Sequence, residues 1–200
     1  MDRYKSVVNK TYLIGISGID GSGKSYVAKR MENELLQSGR KAVAIHADGW
    51  LNLPGKRFSK ENPAMHFYLN AIRFDEMFSS FILPLKRQQS IELEFDYAEE
   101  TATEFKKKRI SYSDVEIILL EGIYLFKKEY RNLFDLAMWI DCSFETALQR
   151  AIVRAQESLS REETIQVYET IYFPAQRIHF EMDDPRENAD EIISNEDALI

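Results

Sequence analysis

A glycine-rich segment near the amino terminus limits the possible folds more than any other feature. Residues Gly18 to Ser25 read G-I-D-G-S-G-K-S and follow an apolar run at Tyr12–Ile16. This is the G-x-x-x-x-G-K-[ST] pattern in its required context, with a predicted strand before it and helical periodicity after it. Glycines let the backbone curl until successive N–H groups face one anion, and the following helix adds the positive end of its dipole. The pattern therefore predicts a phosphate-binding loop.

Two side chains of this loop have predicted roles on a bound nucleotide. Lys24 would place a mobile charge on the outer phosphates, and the Ser25 hydroxyl would join the coordination of Mg2+. ATP and Mg2+ are therefore the predicted cofactors. The predicted ATP contacts in this segment are Asp20, Gly21, Ser22, Gly23, Lys24, Ser25 and Tyr26.

Composition narrows the class of protein. A chain of 200 residues with 44% hydrophobic residues can bury one sizeable core. A net charge of −7 argues against a general nucleic-acid binder, which needs a basic face. No apolar stretch approaches the length of a membrane span. Cys142 is the single cysteine and can form no internal disulfide, which is typical of a cytoplasmic protein.

Apolar runs alternate with helical periodicity along the chain. Short apolar strands that alternate with helices predict a mostly parallel sheet covered on both faces, the three-layer α/β/α fold of P-loop NTPases. The predicted strands are Tyr12–Ser17, Lys41–His46, Glu116–Leu120, Leu136–Asp141 and Asp190–Ser194. A first helix is predicted directly after the phosphate loop. Three further helices are predicted at Phe74–Leu83, Phe144–Gln156 and Arg161–Phe173.

Two acidic residues follow predicted strands. Ligands of such sheets bind at the carboxyl ends of strands, where both Asp48 and Glu121 fall. Asp48 is the candidate base toward an acceptor hydroxyl and a candidate metal-site residue, although a turn aspartate before Gly49 has the same pattern. Glu121 would hold Mg2+ directly or through water, and its alternative is a strand-terminal glutamate beside Gly122.

Arginines near position 154 predict a lid. Arg150 and Arg154 share one helix face, and Arg161 follows a polar break. Such arginines can neutralise a transferring phosphoryl group and exclude water when a flap closes. The alternative is a solvated helix face paired with nearby glutamates. Arg154 and Arg161 are the catalytic candidates here, beside Asp48 and Lys24.

The sequence pattern says less about which residues bind the phosphoryl acceptor. Tyr68, Asp96 and Tyr97 are candidates for the wall of an acceptor pocket on placement alone. The sequence predicts a single domain over 1–200, with an acceptor-side hairpin excursion at about 85–113 and the lid at about 150–162.

With these residues assembled, the chain resembles the uridine kinase-like branch of P-loop small-molecule kinases, which includes phosphoribulokinase, pantothenate kinase and nicotinamide riboside kinase. The resemblance covers nearly the whole length and rests on the phosphate loop, Asp48 with Trp50, and Glu121 at its strand end. It implies that Asp48 is the base, that Glu121 supports Mg2+, and that arginines matching Arg154 and Arg161 contact ATP. It also implies that the segment near Asn195 lies by the adenine.

The sequence departs from this family where nucleosides are recognised. Nucleoside-specific members carry an acid for the ribose hydroxyls, and the corresponding His66–Asn70 has none. The strand residues Phe95–Tyr97 are followed by Glu99 and Glu100 without the family's base-contacting histidine. The transfer machinery is retained while these recognition groups are absent, so uridine is not assured as the acceptor.

The sequence predicts an ATP-dependent kinase that transfers the γ-phosphoryl group to a hydroxyl of a small molecule, with a nucleoside among the candidates. The alternatives are a nucleotide-dependent switch and a non-catalytic nucleotide-binding protein. Switch GTPases use an Asn-Lys-x-Asp guanine reader, and the segment Asn9–Tyr12 lacks its aspartate. No nucleic-acid or membrane partner is expected, and formation of a homo-oligomer is left open.

Overall fold

The central sheet has five strands. The computed structural model describes residues 11–154 and 159–196. The seven strands of this part of the chain are β1 Tyr12–Gly18, β2 Ala42–His46, β3 Ile91–Tyr97, β4 Lys106–Tyr112, β5 Ile117–Glu121, β6 Leu136–Asp141 and β7 Glu191–Ser194. Five of them form one sheet in the order β2–β5–β1–β6–β7, and every pairing in it is parallel. The predicted parallel sheet and its strands are confirmed.

The two remaining strands form a separate hairpin. β3 and β4 pair antiparallel from Ile91 opposite Tyr112 to Tyr97 opposite Lys106. Charged side chains cover this ribbon, for example Lys107, whose ammonium lies 2.8 Å from the Asp96 carboxylate. Charges of this kind keep a two-stranded ribbon from pairing with other chains. The paired strands fall within 85–113, the range predicted for a hairpin excursion, and its place on the acceptor side stays a prediction.

Helices cover both faces of the sheet. They are α1 Lys24–Gln37, α2 Pro54–Arg57, α3 Pro63–Asn70, α4 Phe74–Glu76, α5 Leu83–Gln88, α6 Phe144–Arg154, α7 Arg161–Val167 and α8 Phe173–Asp183. α1 packs Ala28 and Met31 on one face, against sheet residues such as Leu119. α3, α6 and α8 contribute to the larger core on the other face. The three-layer α/β/α architecture is confirmed.

Two helical segments run through π turns that the sequence pattern does not show. A π turn at Met77–Ile82 joins α4 to α5, and another at Tyr168–Tyr172 joins α7 to α8. The helix predicted at Arg161–Phe173 therefore continues to Asp183, past Pro174. Proline removes a backbone donor and crowds the preceding turn, and a widened π turn just before it accommodates both effects.

The sequence pattern also missed two short helices. The sequence pattern predicts no helix between the strand Lys41–His46 and the helix at Phe74–Leu83, yet α2 and α3 both begin in this interval, each at a proline. Proline suits the first turn of a helix, because a backbone N–H at that position would have no partner within the helix and its loss costs nothing. α3 packs on α8, and this contact places aromatic side chains of α3 beside the carboxyl edge of the sheet.

A buried polar network ties α3 to α8. The Tyr68 hydroxyl donates to Asp183 Oδ2 at 2.5 Å, and His179 Nδ1 lies 2.7 Å from the same oxygen. The backbone N–H of Lys128 donates to Asp183 Oδ1 at 3.0 Å. Asp183 is 3% exposed. Its hydrogen bonds with His179 and Tyr68 outweigh the effect of burial and lower the pKa of this carboxyl.

Replacing Asp183 with alanine is expected to lower the free energy of unfolding by about 3 kcal/mol, because the buried Tyr68 and His179 side chains and one backbone N–H lose their partner at once. Urea denaturation at pH 7 measures this loss. Glu181→Ala is the matched control, since Glu181 lies exposed on the same helix. A loss no larger than that of the control would show that the network does not stabilise the fold.

Candidate active site

A cavity of about 370 Å³ lies at the carboxyl edge of the central sheet. The phosphate loop follows β1, Asp48 follows β2 and Glu121 ends β5, so three neighbouring strands deliver the predicted groups to one place. The lining residues from the loop and the start of α1 are Asp20, Gly21, Gly23, Lys24, Ser25 and Tyr26. Asp48, Glu121 and Arg154 also line it.

The loop backbone needs its glycines. Gly21 has φ +77° and Gly23 has φ +91°, the left-handed region that side chains rarely adopt. A Cβ atom on Gly21 would also lie 2.6 Å from the carbonyl oxygen of Ala147. The Lys24 ammonium donates to the Ile19 carbonyl at 2.8 Å, which holds it across the loop. A cradle of backbone N–H groups with one ammonium is the arrangement that binds phosphates.

Ser25 and Glu121 meet beside the loop. The Ser25 hydroxyl donates to Glu121 Oε1 at 3.1 Å, and Glu121 is 3% exposed. His46 Nδ1 bonds to the same carboxylate oxygen, and this hydrogen bond raises the pKa of His46. No local pattern marks His46 as a site residue, because its spacing to the other histidines matches no metal site.

The Ser25 and Glu121 oxygens fit a hard cation that arrives with a nucleotide. In the described part of the chain, no group of three or more His, Cys, Asp or Glu side chains could hold a metal by itself. Mg2+ is usually bound through one or two protein oxygens, waters and substrate phosphates. One hydroxyl and one carboxylate beside a phosphate cradle suit that mode of binding.

Asp48 has the electrostatics of a proton acceptor. Its side chain is open to solvent from the cavity, while protein surrounds the carboxyl on the other sides. This desolvation is the main cause that raises the pKa of Asp48 to about 6, and the negative charges of Glu121 and Asp20 add to it. A carboxyl with this pKa is mostly ionised at neutral pH and is more basic than an ordinary aspartate.

Arg154 faces the phosphate loop from α6. Its guanidinium lies 3.6 Å from Asp20 Oδ1, and its side chain is half exposed. Asp20 also accepts a hydrogen bond from the Tyr168 hydroxyl. Arg154 lines the cavity, and a half-exposed ion pair at this distance holds its guanidinium only weakly.

Arg150 lines the same cavity and also makes hydrogen bonds to backbone carbonyls beside it. Its Nη2 donates to the Asn195 carbonyl at 2.6 Å, and its Nη1 donates to the Gly21 carbonyl at 3.4 Å. The Asn195 side chain donates to the Ser22 carbonyl at 2.7 Å. These bonds fasten the segment after β7 to the phosphate loop. Ser22 and Asn195 therefore support the loop. Neither of them is among the described residues that line the cavity.

Only part of the predicted lid can be placed. Arg161 begins α7 at the surface and is not among the described residues that line the cavity. Positions 155–158 of the predicted lid lie outside the described residues. The role of Arg161 on ATP therefore stays a prediction.

The expected acceptor wall needs a correction. Tyr68 is buried, with its hydroxyl on Asp183, and it is Phe67 that lines the cavity. Asp96 is paired with Lys107 on the hairpin and lies outside this cavity. Tyr97 borders a neighbouring cavity that it shares with Asp48. For Tyr68 the cause is the unpredicted α3, because helical geometry turns adjacent side chains to different faces.

Several lining residues were not predicted. They come from α2, α3, the hairpin loop and the long last helix: Arg57, Phe67, Glu100, Tyr172 and Gln176. Arg57 is 3% exposed, and its Nη2 donates to the Glu100 carbonyl. No local pattern marked these positions, since each reaches the cavity through the packing of helices that the pattern missed or ended too early.

The fold and the site define a P-loop phosphotransferase. Comparison with known proteins then identifies its family. The profile of the phosphoribulokinase / uridine kinase family matches residues 13–180. A uridine kinase of Macrococcus caseolyticus is 28% identical over 172 residues, which cover 84% of this chain and 81% of that protein. A uridine kinase of Listeria monocytogenes is 27% identical over 193 residues, covering 94% and 88%.

A solved structure shares the fold. It is described as a possible uridine kinase from Bacillus stearothermophilus, with a TM-score of 0.73, 22% identity and coverage of 92% of this chain and 88% of that one. The chain belongs to the phosphoribulokinase / uridine kinase family. The predicted ATP-dependent phosphotransferase is thereby confirmed, and the switch alternative is not favoured. Within the described ranges, no helix has the length and apolarity needed to cross a bilayer.

Proposed function

We propose that the protein transfers the γ-phosphoryl group of ATP, with Mg2+, to a hydroxyl of a small molecule bound beside Asp48. The observation that carries this proposal is the shared cavity, which Lys24, Asp48 and Glu121 all line. Phosphoryl transfer depends mainly on positioning and on charge stabilisation, and these three groups supply both.

On the donor side, the loop N–H groups and Lys24 bind and orient the outer phosphates of ATP. Ser25 and Glu121 would hold Mg2+, which neutralises charge on the phosphates when bound. Arg154 leaves Asp20 and adds a positive charge to the transferring group. Arg161 is proposed to approach when the lid closes, and Asn195 fixes the segment that we assign to the adenine side.

On the acceptor side, Asp48 orients the hydroxyl and takes its proton as the new P–O bond forms. The raised pKa of Asp48, about 6, suits this task because proton transfer is most effective when the pKa of the base is near the operating pH. Asp96 and Tyr97 belong to the hairpin next to the second cavity, and we assign them at most to the outer part of an acceptor site.

A screen of acceptors tests this function. Purified protein with ATP and Mg2+ is offered nucleosides, ribosides, pantothenate-like alcohols and sugar phosphates, and ADP release is followed. The relatives named uridine kinases make uridine the first acceptor to try. We expect acceptor-dependent ADP release with at least one class. Tight ATP binding without transfer to any acceptor would favour the non-catalytic alternative.

The pH dependence provides a second test. We expect kcat/KM for the acceptor to fall as the pH drops through about 6, because this parameter reports the enzyme before the acceptor binds and Asp48 must be ionised there. Initial rates from pH 5 to 8 with saturating ATP and varied acceptor measure this decrease.

His46 serves as the control for this profile, because its imidazole is a second titratable group close to the Asp48 carboxyl. We expect His46→Asn to keep the acidic decrease. A decrease that disappears in His46→Asn would assign the titration to the histidine and would contradict the assignment to Asp48.

A further inference from the structure

The carboxamide of Gln176 is buried and lacks partners. Gln176 lies on α8, is 1% exposed and lines the same cavity as Lys24 and Asp48. Neither Nε2 nor Oε1 has a hydrogen-bond partner among the described residues. A buried polar atom without a partner costs about 1–3 kcal/mol, so native proteins rarely keep two on one side chain. The cavity is where partners for this amide can come from.

The chemistry of a carboxamide limits the group that can satisfy it. Nε2 needs an acceptor, and Oε1 needs a donor. A carboxylate or a fully ionised phosphate accepts at every oxygen, so it would leave Oε1 without a partner. The matching group must present a donor and an acceptor side by side, as two neighbouring hydroxyls do.

The surroundings of Gln176 suit a polyhydroxylated molecule. Tyr172 lies one turn earlier on the same helix, and its ring centroid is 4.9 Å from that of Phe67. Both rings line the cavity and offer apolar surface, while Arg57 and Glu100 add polar groups. The transfer reaction already requires a hydroxyl beside Asp48. A polyhydroxylated molecule carries both this hydroxyl and the two neighbouring hydroxyls for Gln176, so it needs no other functional group.

We propose that Gln176 is a specificity-determining residue that binds a vicinal diol of the acceptor, with Nε2 donating to one hydroxyl and Oε1 accepting from the other. This inference rests on the proposed function, because it assigns the acceptor part of the same cavity. The diol can belong to the ribose of a nucleoside or to a free sugar, and the test separates these sources.

The test uses two variants of similar shape. Gln176→Met keeps the length of the side chain and removes both hydrogen-bonding groups, and Gln166→Met is its control at an exposed position of α7. Melting temperatures are measured with a non-hydrolysable ATP analogue and Mg2+, alone and with uridine, 2′-deoxyuridine, D-ribose or 2-deoxy-D-ribose. kcat/KM is measured for each acceptor that is phosphorylated.

We expect the wild type to prefer the diol over its deoxy analogue by about 10- to 100-fold in kcat/KM or in affinity. Gln176→Met should abolish this preference and leave ATP binding unchanged. Without acceptor, it should melt several degrees above the wild type, because an unpaired buried amide has been removed. Gln166→Met should keep the preference. A response to uridine alone assigns a nucleoside, and a response to D-ribose alone assigns a free sugar.

Three results would overturn the proposal. One is a wild type that treats diol and deoxy acceptors alike, which would show that another group faces Gln176. Another is a Gln176→Met variant that melts at a lower temperature than the wild type and still prefers the diol acceptor. That result is expected if Gln176 has only a structural role. The third is a wild type that binds the ATP analogue and responds to none of the four probes. Diol binding without transfer would instead contradict only the proposed function.

Discussion

Replacing Lys24 with alanine is expected to lower the turnover of the kinase by about 10³-fold, the largest effect of any single change in the site. Lys24 is 7% exposed and its ammonium is held at 2.8 Å by the Ile19 carbonyl, so it is already positioned before ATP binds. A preorganised charge costs little reorganisation during transfer. Steady-state ADP release with the best acceptor measures the loss.

The control for Lys24 lies on the same helix. The Lys29 side chain is 65% exposed on α1, and its ammonium lies 2.7 Å from the Glu32 carboxylate. Lys29→Ala removes the same charge from the same helix and is expected to leave turnover within about twofold of the wild type, since Lys29 is not among the described residues that line the cavity. Equal losses in the two variants would mean that the total charge of α1, and not the position of Lys24, matters for turnover.

Replacing Asp48 with asparagine is expected to lower kcat by about 10²-fold or more while ATP binding persists. Asparagine keeps the size of the side chain and cannot take the proton of the acceptor hydroxyl. Single-turnover rates with bound ATP measure the chemical step, and calorimetric titration with ATP and Mg2+ measures binding.

Asp114→Asn is the matched control for Asp48. Asp114 is exposed and pairs with Lys41 at the opposite edge of the sheet, before β5 begins. We expect it to leave the chemical step unchanged. A wild-type rate in Asp48→Asn, with no other base in reach of the acceptor, would remove Asp48 from the mechanism.

Much of the fold is predictable because its signals are local. The phosphate loop combines a motif with a strand before it and a helix after it, and β5 is an uninterrupted apolar run. A parallel sheet then brings strand carboxyl ends together, so the sequence alone predicts Asp48 and Glu121 beside the loop. The donor half of the cavity follows from such local patterns.

The acceptor half depends on packing that local patterns do not encode. α3 begins at a proline after a polar segment, and the π turn before α8 allows the last helix to pass Pro174. Both features determine which side chains reach the cavity. Phe67 replaces the expected Tyr68, and Gln176 lies beyond the predicted end of its helix. Tertiary contacts decide these positions, and periodicity alone cannot.

We propose that one cavity aligns the γ-phosphoryl group of ATP with an acceptor hydroxyl at Asp48. Transfer of label from γ-labelled ATP to the acceptors of the screen, with Mg2+, is measured in the wild type and in Asp48→Asn. We expect the wild type to form a labelled phosphomonoester in step with ADP, and the variant to lose both. ADP release that is independent of every acceptor and equal in the two proteins would contradict it.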